Sequence, residues 1–185
     1  QGDRPFLDRF DLVTLKTERL FHCDDRSYEQ IVALLSDDGS RVLTKRETPT
    51  DAPNYFVRSL GVTAGPQPAA ANSQDRAAAL TAFRDPAPAL RGIQKRRLHY
   101  TRADGVALSA TLYLPPGYTE GTRLPVLVWA YPQEFTTAAA ASQVSGSLNR
   151  FTTITGPSHL LLLTQGYAIL DDPAMPIVGP GETAN

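Results

Sequence analysis

The sequence lacks the residues from which disulfides and many protein metal sites are built. Cys23 is the one cysteine among 185 residues, so no internal disulfide can form. The histidines His22, His99 and His159 are spread along the chain, and their spacing forms no Cys/His metal motif. A single free cysteine is more often a small core residue than a nucleophile. We therefore predict a buried Cys23 and no Cys/His metal site.

The sequence also lacks a strong net charge and a long apolar run. Its 18 Lys and Arg residues nearly balance 19 Asp and Glu residues, which argues against binding to nucleic acid or a membrane surface through bulk charge. No apolar run is long enough to span a bilayer, and no signal-peptide pattern is present. With 42% hydrophobic residues, the chain can bury a core. We expect a folded protein with neither a nucleic-acid partner nor a membrane span.

Residues 4–60 have the pattern of successive short strands. The run FLDRFDLVTL alternates apolar and polar residues, TERLFHCDD follows after a turn, and residues 29–60 offer two or three further runs. Asp37, Asp38 and Gly39 predict a turn between two of these, because Asp tolerates and Gly favours the left-handed region. Short antiparallel strands with polar turns are typical of a sandwich or a propeller blade. A set this small is expected to pack on further sheet.

Residues 61–92 are rich in Ala, Pro, Gln and Gly and are predicted to be a linker region. Within this region, DRAAALTAF favours a short helix. The composition changes again afterwards, so we predict three parts: strands in 1–60, the linker region in 61–92, and a second domain in 93–185.

The second half predicts an α/β arrangement. LHYTRADGVALSATLYLP reads as a hairpin joined at Ala103–Gly105, and PVLVWAY as a strand covered on both faces. GPSHLLLLTQG predicts a helix that ends at Gly166 and is buried on most sides, and YAIL predicts another buried strand. Strand, crossover helix and strand together form the βαβ unit of a parallel sheet.

Several segments resemble one family of enzymes. DGVALSATLYLPPGY, PVLVWAYPQEF, AAASQVSGSLNRF and YAILDDPAMPIVGPGETAN resemble the start of the catalytic domain in serine peptidases of the prolyl oligopeptidase family, above all its glutamyl endopeptidase branch. RPFLDRFDLVTL and YEQIVALLS resemble the last part of that branch's β-propeller. The resemblance implies an α/β fold with a β-rich N-terminal part, in which the last propeller strands precede a partial α/β-hydrolase fold. It implies no metal or organic cofactor.

The resemblance also implies a role for Tyr131. Members of the family cleave peptide bonds with a Ser-His-Asp triad, and a Tyr at the end of the strand after the first hairpin donates to the oxyanion hole. Tyr131 matches that Tyr by position. Pro132-Gln133-Glu134 follows where many members have a Gly-Gly pair, so Trp129, two residues earlier on the same face, is the rival position. The structural alternative is that Tyr131 caps a core strand with its hydroxyl at the surface.

The nucleophile motif of the family, Gly-x-Ser-x-Gly, is absent from this chain. Ser145, Ser147 and Ser158 all lack the pattern. Ser158 and His159 are adjacent, and adjacent helical side chains do not face each other, so they are not expected to form a dyad. The resemblance implies that the nucleophile, Asp and His all follow the point at which this chain stops.

Other polar residues of the second half have weaker functional readings. Glu134, Asp171 and Asp172 lie near strand ends, where a loop or cap role is favoured over acid-base catalysis. GPGETAN lacks the ending of a phosphate loop and is predicted to be an active-site-rim loop at best. A glutamyl-specific site needs a cation; the candidates after residue 98 are Arg102, Arg123 and Arg150, and the sequence selects none of them. Lys95-Arg96-Arg97 is predicted to be a solvated interdomain stretch.

Together these observations predict an internal segment of a serine peptidase that acts through an acyl-enzyme intermediate, with cleavage after Glu implied by the resemblance. The segment alone is expected to be inactive. Its partners would be a peptide substrate and the remainder of the same polypeptide, or a second chain, that completes the fold. The alternative is a non-catalytic binding or scaffold module of the same architecture. A third hypothesis, a small hydrolase using Ser158 and His159, is disfavoured by the geometry given above.

Overall fold

A computed structural model describes residues 2–61 and 76–179. These residues are mostly strand, with few and short helices. They divide into two compact units, an N-terminal unit of residues 3–86 and 149–151 and a C-terminal unit of residues 2, 87–148 and 152–179. The predicted division into 1–60, 61–92 and 93–185 stays a prediction; the two compact units part at residue 86, inside the region predicted to be a linker.

The N-terminal unit contains a strand pair and a four-stranded meander, both antiparallel. The pair consists of β1 (Phe6–Phe10) and β2 (Thr17–His22). The meander consists of β3 (Tyr28–Leu34), β4 (Arg41–Glu47), β5 (Asn54–Ser59) and β6 (Arg76–Ala79), in chain order across the sheet. The strands predicted for residues 4–60 and the turn at 37–40 are confirmed.

β6 lies where the sequence favoured a short helix. Its residues pair with β5, from Ser59 opposite Arg76 to Phe56 opposite Ala79. Alanine has a high helix propensity, but the preference is below about 1 kcal/mol per residue, and pairing with an available strand edge outweighs it. The helix prediction for DRAAALTAF is therefore wrong at residues 76–79.

The core of the N-terminal unit combines apolar side chains with the buried carboxylates of Glu29 and Glu47. Phe21, Cys23, Val42 and Leu60 form its hydrophobic cluster. Cys23 is 1% exposed, and burial raises the pKa of its thiol. The predicted small core cysteine is thus confirmed.

The C-terminal unit is built around a four-stranded mixed sheet. The strands of the whole unit are, in chain order, β7 (Gln94–Thr101), β8 (Ala107–Leu114), β9 (Val126–Trp129), β10 (Gln133–Phe135), β11 (Ala168–Asp171) and β12 (Pro176–Val178). The main sheet has the order β7-β8-β11-β9, and β10 and β12 form a separate parallel pair. The predicted hairpin, β7 with β8, and the predicted parallel pair, β9 with β11, are both confirmed.

Short helical segments accompany these strands: α1 (Ala138–Ala141) and two 3-10 segments, Pro88–Leu90 and His159–Gln165. The second 3-10 segment forms the crossover helix and ends at Gly166, whose φ of 81° is left-handed as a helix C-terminus favours. Leu160 and Leu163 are buried, but Leu161 is 46% exposed, so the expectation of burial on most sides is wrong. No helix in the described ranges is long and apolar enough to cross a membrane.

β9 was expected to be covered on both faces, and this expectation is also wrong. Leu127 packs with Leu160 and Leu163 in the hydrophobic cluster under the 3-10 helix. On the opposite face, Val126 and Val128 are 56% and 55% exposed. β9 is the last strand in the order of its sheet, and only the face toward the 3-10 helix is covered in the structure as described.

Candidate functional site

Tyr131 lies two residues after Trp129, the last residue of β9, at the carboxyl end of that strand. Its ring meets the Trp129 ring edge-on, with the centroids 6.3 Å apart and the planes at 70°. Tyr131 is 68% exposed, and no hydrogen bond joins its hydroxyl to any residue in the described part of the chain. The hydroxyl is therefore available to donate to a bound molecule, and its position suits the structural alternative of a surface cap equally well.

Tyr131 lines a cleft in the C-terminal unit with a volume of about 30 Å³, enough for about two water molecules. The cleft's polar lining includes Arg97, Gln133, Gln143 and Asp172. An Arg97 guanidinium nitrogen donates to the carbonyl oxygen of Ser145 at 3.0 Å. The cleft thus combines a cation, a carboxylate, two amides and a phenol, but it is too small to enclose a peptide segment.

The backbone beyond β11 is unusual where it borders this cleft. Asp172 has a φ of 47°, a conformation that L residues other than glycine adopt rarely. Its backbone N–H donates to the carbonyl oxygen of Trp129 at 2.9 Å, which ties together the ends of the two parallel strands. The Tyr100 hydroxyl donates to the carbonyl oxygen of Ala174 at 2.9 Å, and burial raises the pKa of Tyr100. These contacts fix the chain segment that forms one wall of the cleft.

A histidine–carboxylate pair lies at the same end of the sheet. Nε2 of His159 and Oδ1 of Asp171 are 2.8 Å apart, and the two side chains are 19% and 24% exposed. The His159 ring stacks on the Trp129 ring at a centroid distance of 4.6 Å and an interplanar angle of 10°. Sequence reasoning missed this pair. The signal was present, because parallel pairing of the two predicted strands places Asp171 beside Trp129.

Ser158 takes no part in this pair. Its hydroxyl accepts the backbone N–H of Leu160 at 3.2 Å and so caps the start of the 3-10 helix. Among the described residues, no hydrogen bond links Ser158 to His159. The arrangement agrees with the expectation that these two residues form no dyad, and it leaves the histidine–carboxylate pair without a serine.

The remaining candidates are distributed as follows. Asp171 ends β11 and bonds to His159, whereas its neighbour Asp172 lines the cleft, so the two adjacent carboxylates have different surroundings. Glu134 lies within β10 rather than in a loop. GPGETAN falls almost wholly outside the described residues. Within residues 2–61 and 76–179, no group of His, Cys, Asp and Glu could hold a metal ion.

The cation beside Tyr131 is not one of the three that the sequence offered. Arg102 pairs with Asp104 at 2.7 Å, Arg150 belongs to the N-terminal unit, and Arg123 is exposed. Arg97 lines the cleft instead, from β7. The prediction that 95–97 is an interdomain stretch is wrong, because these residues pair with β8 from Lys95 opposite Tyr113 to Arg97 opposite Thr111.

Comparison with known proteins identifies close relatives by sequence. No family model matches the chain. A protein of Oryza sativa subsp. japonica and one of Arabidopsis thaliana, each named "Probable glutamyl endopeptidase, chloroplastic", are 40% and 39% identical to it over 193 aligned residues. Each alignment covers 98% of this chain and 19% of the relative, so the chain spans about a fifth of the length of these curated relatives. The resemblance to the glutamyl endopeptidase branch is confirmed.

Two solved structures are similar at lower identity. The isopeptidase AtxE2 without ligand is 20% identical, with a TM-score of 0.45 over 85% of this chain and 20% of that protein. The Pyrococcus horikoshii acylaminoacyl peptidase is 15% identical, with a TM-score of 0.46 over 89% of this chain and 21% of that protein.

Proposed function

We propose that this chain is a segment of a serine peptidase of the prolyl oligopeptidase family, in its glutamyl endopeptidase branch. The observation that carries the proposal is the 40% identity over 98% of the chain to a protein named as a glutamyl endopeptidase. The folds of the two units support it. A four-stranded antiparallel meander is the form of a propeller blade, and a hairpin continued by a parallel strand pair suits the opening part of an α/β-hydrolase sheet.

In this proposal the complete enzyme hydrolyses peptide bonds through an acyl-enzyme intermediate. A serine outside this segment attacks the peptide carbonyl carbon, and negative charge develops on the carbonyl oxygen. The Tyr131 hydroxyl donates a hydrogen bond to that oxygen, an interaction commonly worth about 3 kcal/mol of the barrier. The nucleophile, its base and the orienting acid come from the rest of the polypeptide, so the segment alone is inactive.

The exposure of Tyr131 places a requirement on the complete enzyme. An oxyanion donor is most effective where water is excluded, and Tyr131 is 68% exposed in this chain. The substrate, together with protein outside this segment, must therefore cover the hydroxyl during the reaction. A preference for cleavage after Glu follows from the name of the relatives and is part of the proposal.

The test uses the complete polypeptide that carries these residues, labelled with a fluorophosphonate and analysed by intact mass. We expect one label per polypeptide and faster hydrolysis of a peptide with Glu than with Gln before the scissile bond. Tyr131→Phe should lower kcat by about 100-fold or more with little change in KM, because one oxyanion donor is lost.

Tyr167→Phe is the matched control, since Tyr167 lies at the end of the 3-10 helix and not in the lining of the cleft. This control should retain wild-type kcat. If Tyr131→Phe retains it too and Trp129→Phe does not, the oxyanion role belongs to the rival position. If the complete polypeptide takes no label, the peptidase proposal fails and the non-catalytic binding module becomes the better hypothesis.

A further inference from the structure

Four side chains form a continuous series of contacts at the carboxyl ends of β9 and β11. The Asp171 carboxylate bonds to Nε2 of His159, and the His159 ring stacks on Trp129. The Trp129 ring in turn meets the Tyr131 ring edge-on. This series, Asp171–His159–Trp129–Tyr131, is called the aromatic relay below. It ends at the hydroxyl to which the proposed function assigns the oxyanion contact.

At one end of the aromatic relay, His159 and Asp171 are held in place by the secondary structure to which they belong. His159 is the first residue of the 3-10 helix, whose start is capped by Ser158 and whose Leu163 is 1% exposed in the core. Asp171 lies on β11 directly opposite Trp129, and the backbone N–H of Asp172 donates to the carbonyl oxygen of Trp129. The positions of His159 and Asp171 are therefore set by the sheet and by the helix packed on it.

At the other end of the aromatic relay, Trp129 and Tyr131 are more exposed to solvent. Tyr131 is 68% exposed, and its hydroxyl bonds to none of the described residues. Trp129 is 44% exposed on β9, the last strand in the order of the sheet as the described residues form it. The stacked His159 ring at 4.6 Å favours one orientation of Trp129, and the edge-on Trp129 ring favours one orientation of Tyr131.

We propose that His159 and Asp171 are positioning residues that hold Trp129, and through it the Tyr131 hydroxyl, in the orientation needed for transition-state binding. The inference rests on the proposed oxyanion role of Tyr131. A donor of this kind acts only when it is accurately placed, and a misplacement near 1 Å can cost about 100-fold in rate. In this role the His159–Asp171 pair orients other side chains and transfers no proton.

A double-mutant cycle in the complete polypeptide tests this proposal. His159→Ala should lower kcat about 10-fold with KM nearly unchanged, because the substrate binds but the donor is misplaced. In a Tyr131→Phe background the same change should have almost no further effect, since there is no hydroxyl left to place. His159→Phe, which retains a stacking ring and loses the bond to Asp171, should recover part of the lost kcat.

His99→Ala is the matched control, because His99 is an exposed histidine of β7 outside the aromatic relay, and it should leave kcat unchanged. A His159→Ala loss that is equally large in the Tyr131→Phe background would overturn the proposal and indicate a general structural role. If Tyr131→Phe alone leaves kcat unchanged, the oxyanion role itself is wrong and this inference falls with it. Should His159→Ala fail to fold, Asp171→Asn in the same two backgrounds gives the same comparison.

Discussion

Single residues of the N-terminal unit show how burial decides what a charge contributes. Glu29 is 2% exposed and accepts hydrogen bonds from Thr44 at 2.6 Å and from Arg58 at 2.8 Å and 3.0 Å. Glu18 makes an ion pair with Arg9 at 2.5 Å, but both side chains are more than 40% exposed. The two carboxylates have similar partners and very different surroundings, and this difference makes them a matched pair for mutation.

We predict that Glu29→Gln lowers the stability of the N-terminal unit by about 3 kcal/mol, because the buried ion pair of Glu29 with Arg58 at 2.8 Å loses its negative charge. Glu18→Gln should cost less than about 1 kcal/mol, as expected for an exposed pair. Hydrogen exchange of peptides covering β3 to β5 measures both effects, since opening of these strands exposes their amides. Equal losses for the two variants would show that burial does not set the value of the Glu29 contacts.

At the residue scale, the sequence named Tyr131 and its rival Trp129, but it missed the pairing of His159 with Asp171 and the position of Arg97. Tyr131 was named because it follows a predicted strand and because the family resemblance pointed to it, and its oxyanion role stays a prediction. His159 and Asp171 are 12 residues apart, and only the parallel register of β9 and β11 brings Asp171 to Trp129. Arg97 was missed because its charged run looked solvated, whereas pairing with β8 places it in the lining of the cleft.

At the scale of elements, the turn between β3 and β4 is held by one carboxylate. Asp38 accepts from the hydroxyls of Ser40 and Ser36, each at 2.7 Å, and from the backbone N–H of Ser40 at 2.9 Å. All three bonds favour the ionised form. They lower the pKa of Asp38 from its ordinary value of 3.8 to about 2, with the Ser40 hydroxyl as the largest cause.

We predict that the carboxyl carbon of Asp38 titrates near pH 2 in an NMR experiment and that Ser40→Ala moves this pKa upward toward 3.8. The sign for stability follows from the lowered pKa. The contribution of Asp38 is present above pH 3.8 and is lost as the pH falls toward 2. An unchanged titration in Ser40→Ala would mean that the Ser40 hydroxyl does not determine the pKa.

Elements could be predicted from the sequence where local pattern and tertiary setting agree. The strands of residues 4–60, the β7–β8 hairpin and the parallel β9–β11 pair all carry local signals that the fold preserves. The sequence-based predictions are wrong where the tertiary environment outweighs the local pattern. Ala77–Ala79 extend because β5 offers them an edge, and β9 keeps one face exposed although its run of apolar residues is typical of a strand covered on both sides.

At the scale of the whole chain, the exposed face of β9 is the feature that bears most directly on function. The side chains of Val126 and Val128 on this face are both more than half exposed. β9 is also an edge strand of its sheet, and an edge strand is a template for pairing with another chain. In the proposed enzyme, the remainder of the polypeptide covers this face. The isolated chain of 185 residues has no such cover among its described residues, so its behaviour in solution discriminates between the two functional hypotheses.

We predict that the isolated chain self-associates and that Val128→Lys shifts it toward the monomer, because a charge on the exposed edge opposes strand pairing. Val13→Lys makes the same change at a residue that is 92% exposed between β1 and β2, and it should leave the association unaltered. Sedimentation velocity over a range of concentrations measures both. A wild-type chain that is monomeric and unfolds cooperatively would instead favour the non-catalytic module, because a domain complete in itself needs no further sheet to cover β9.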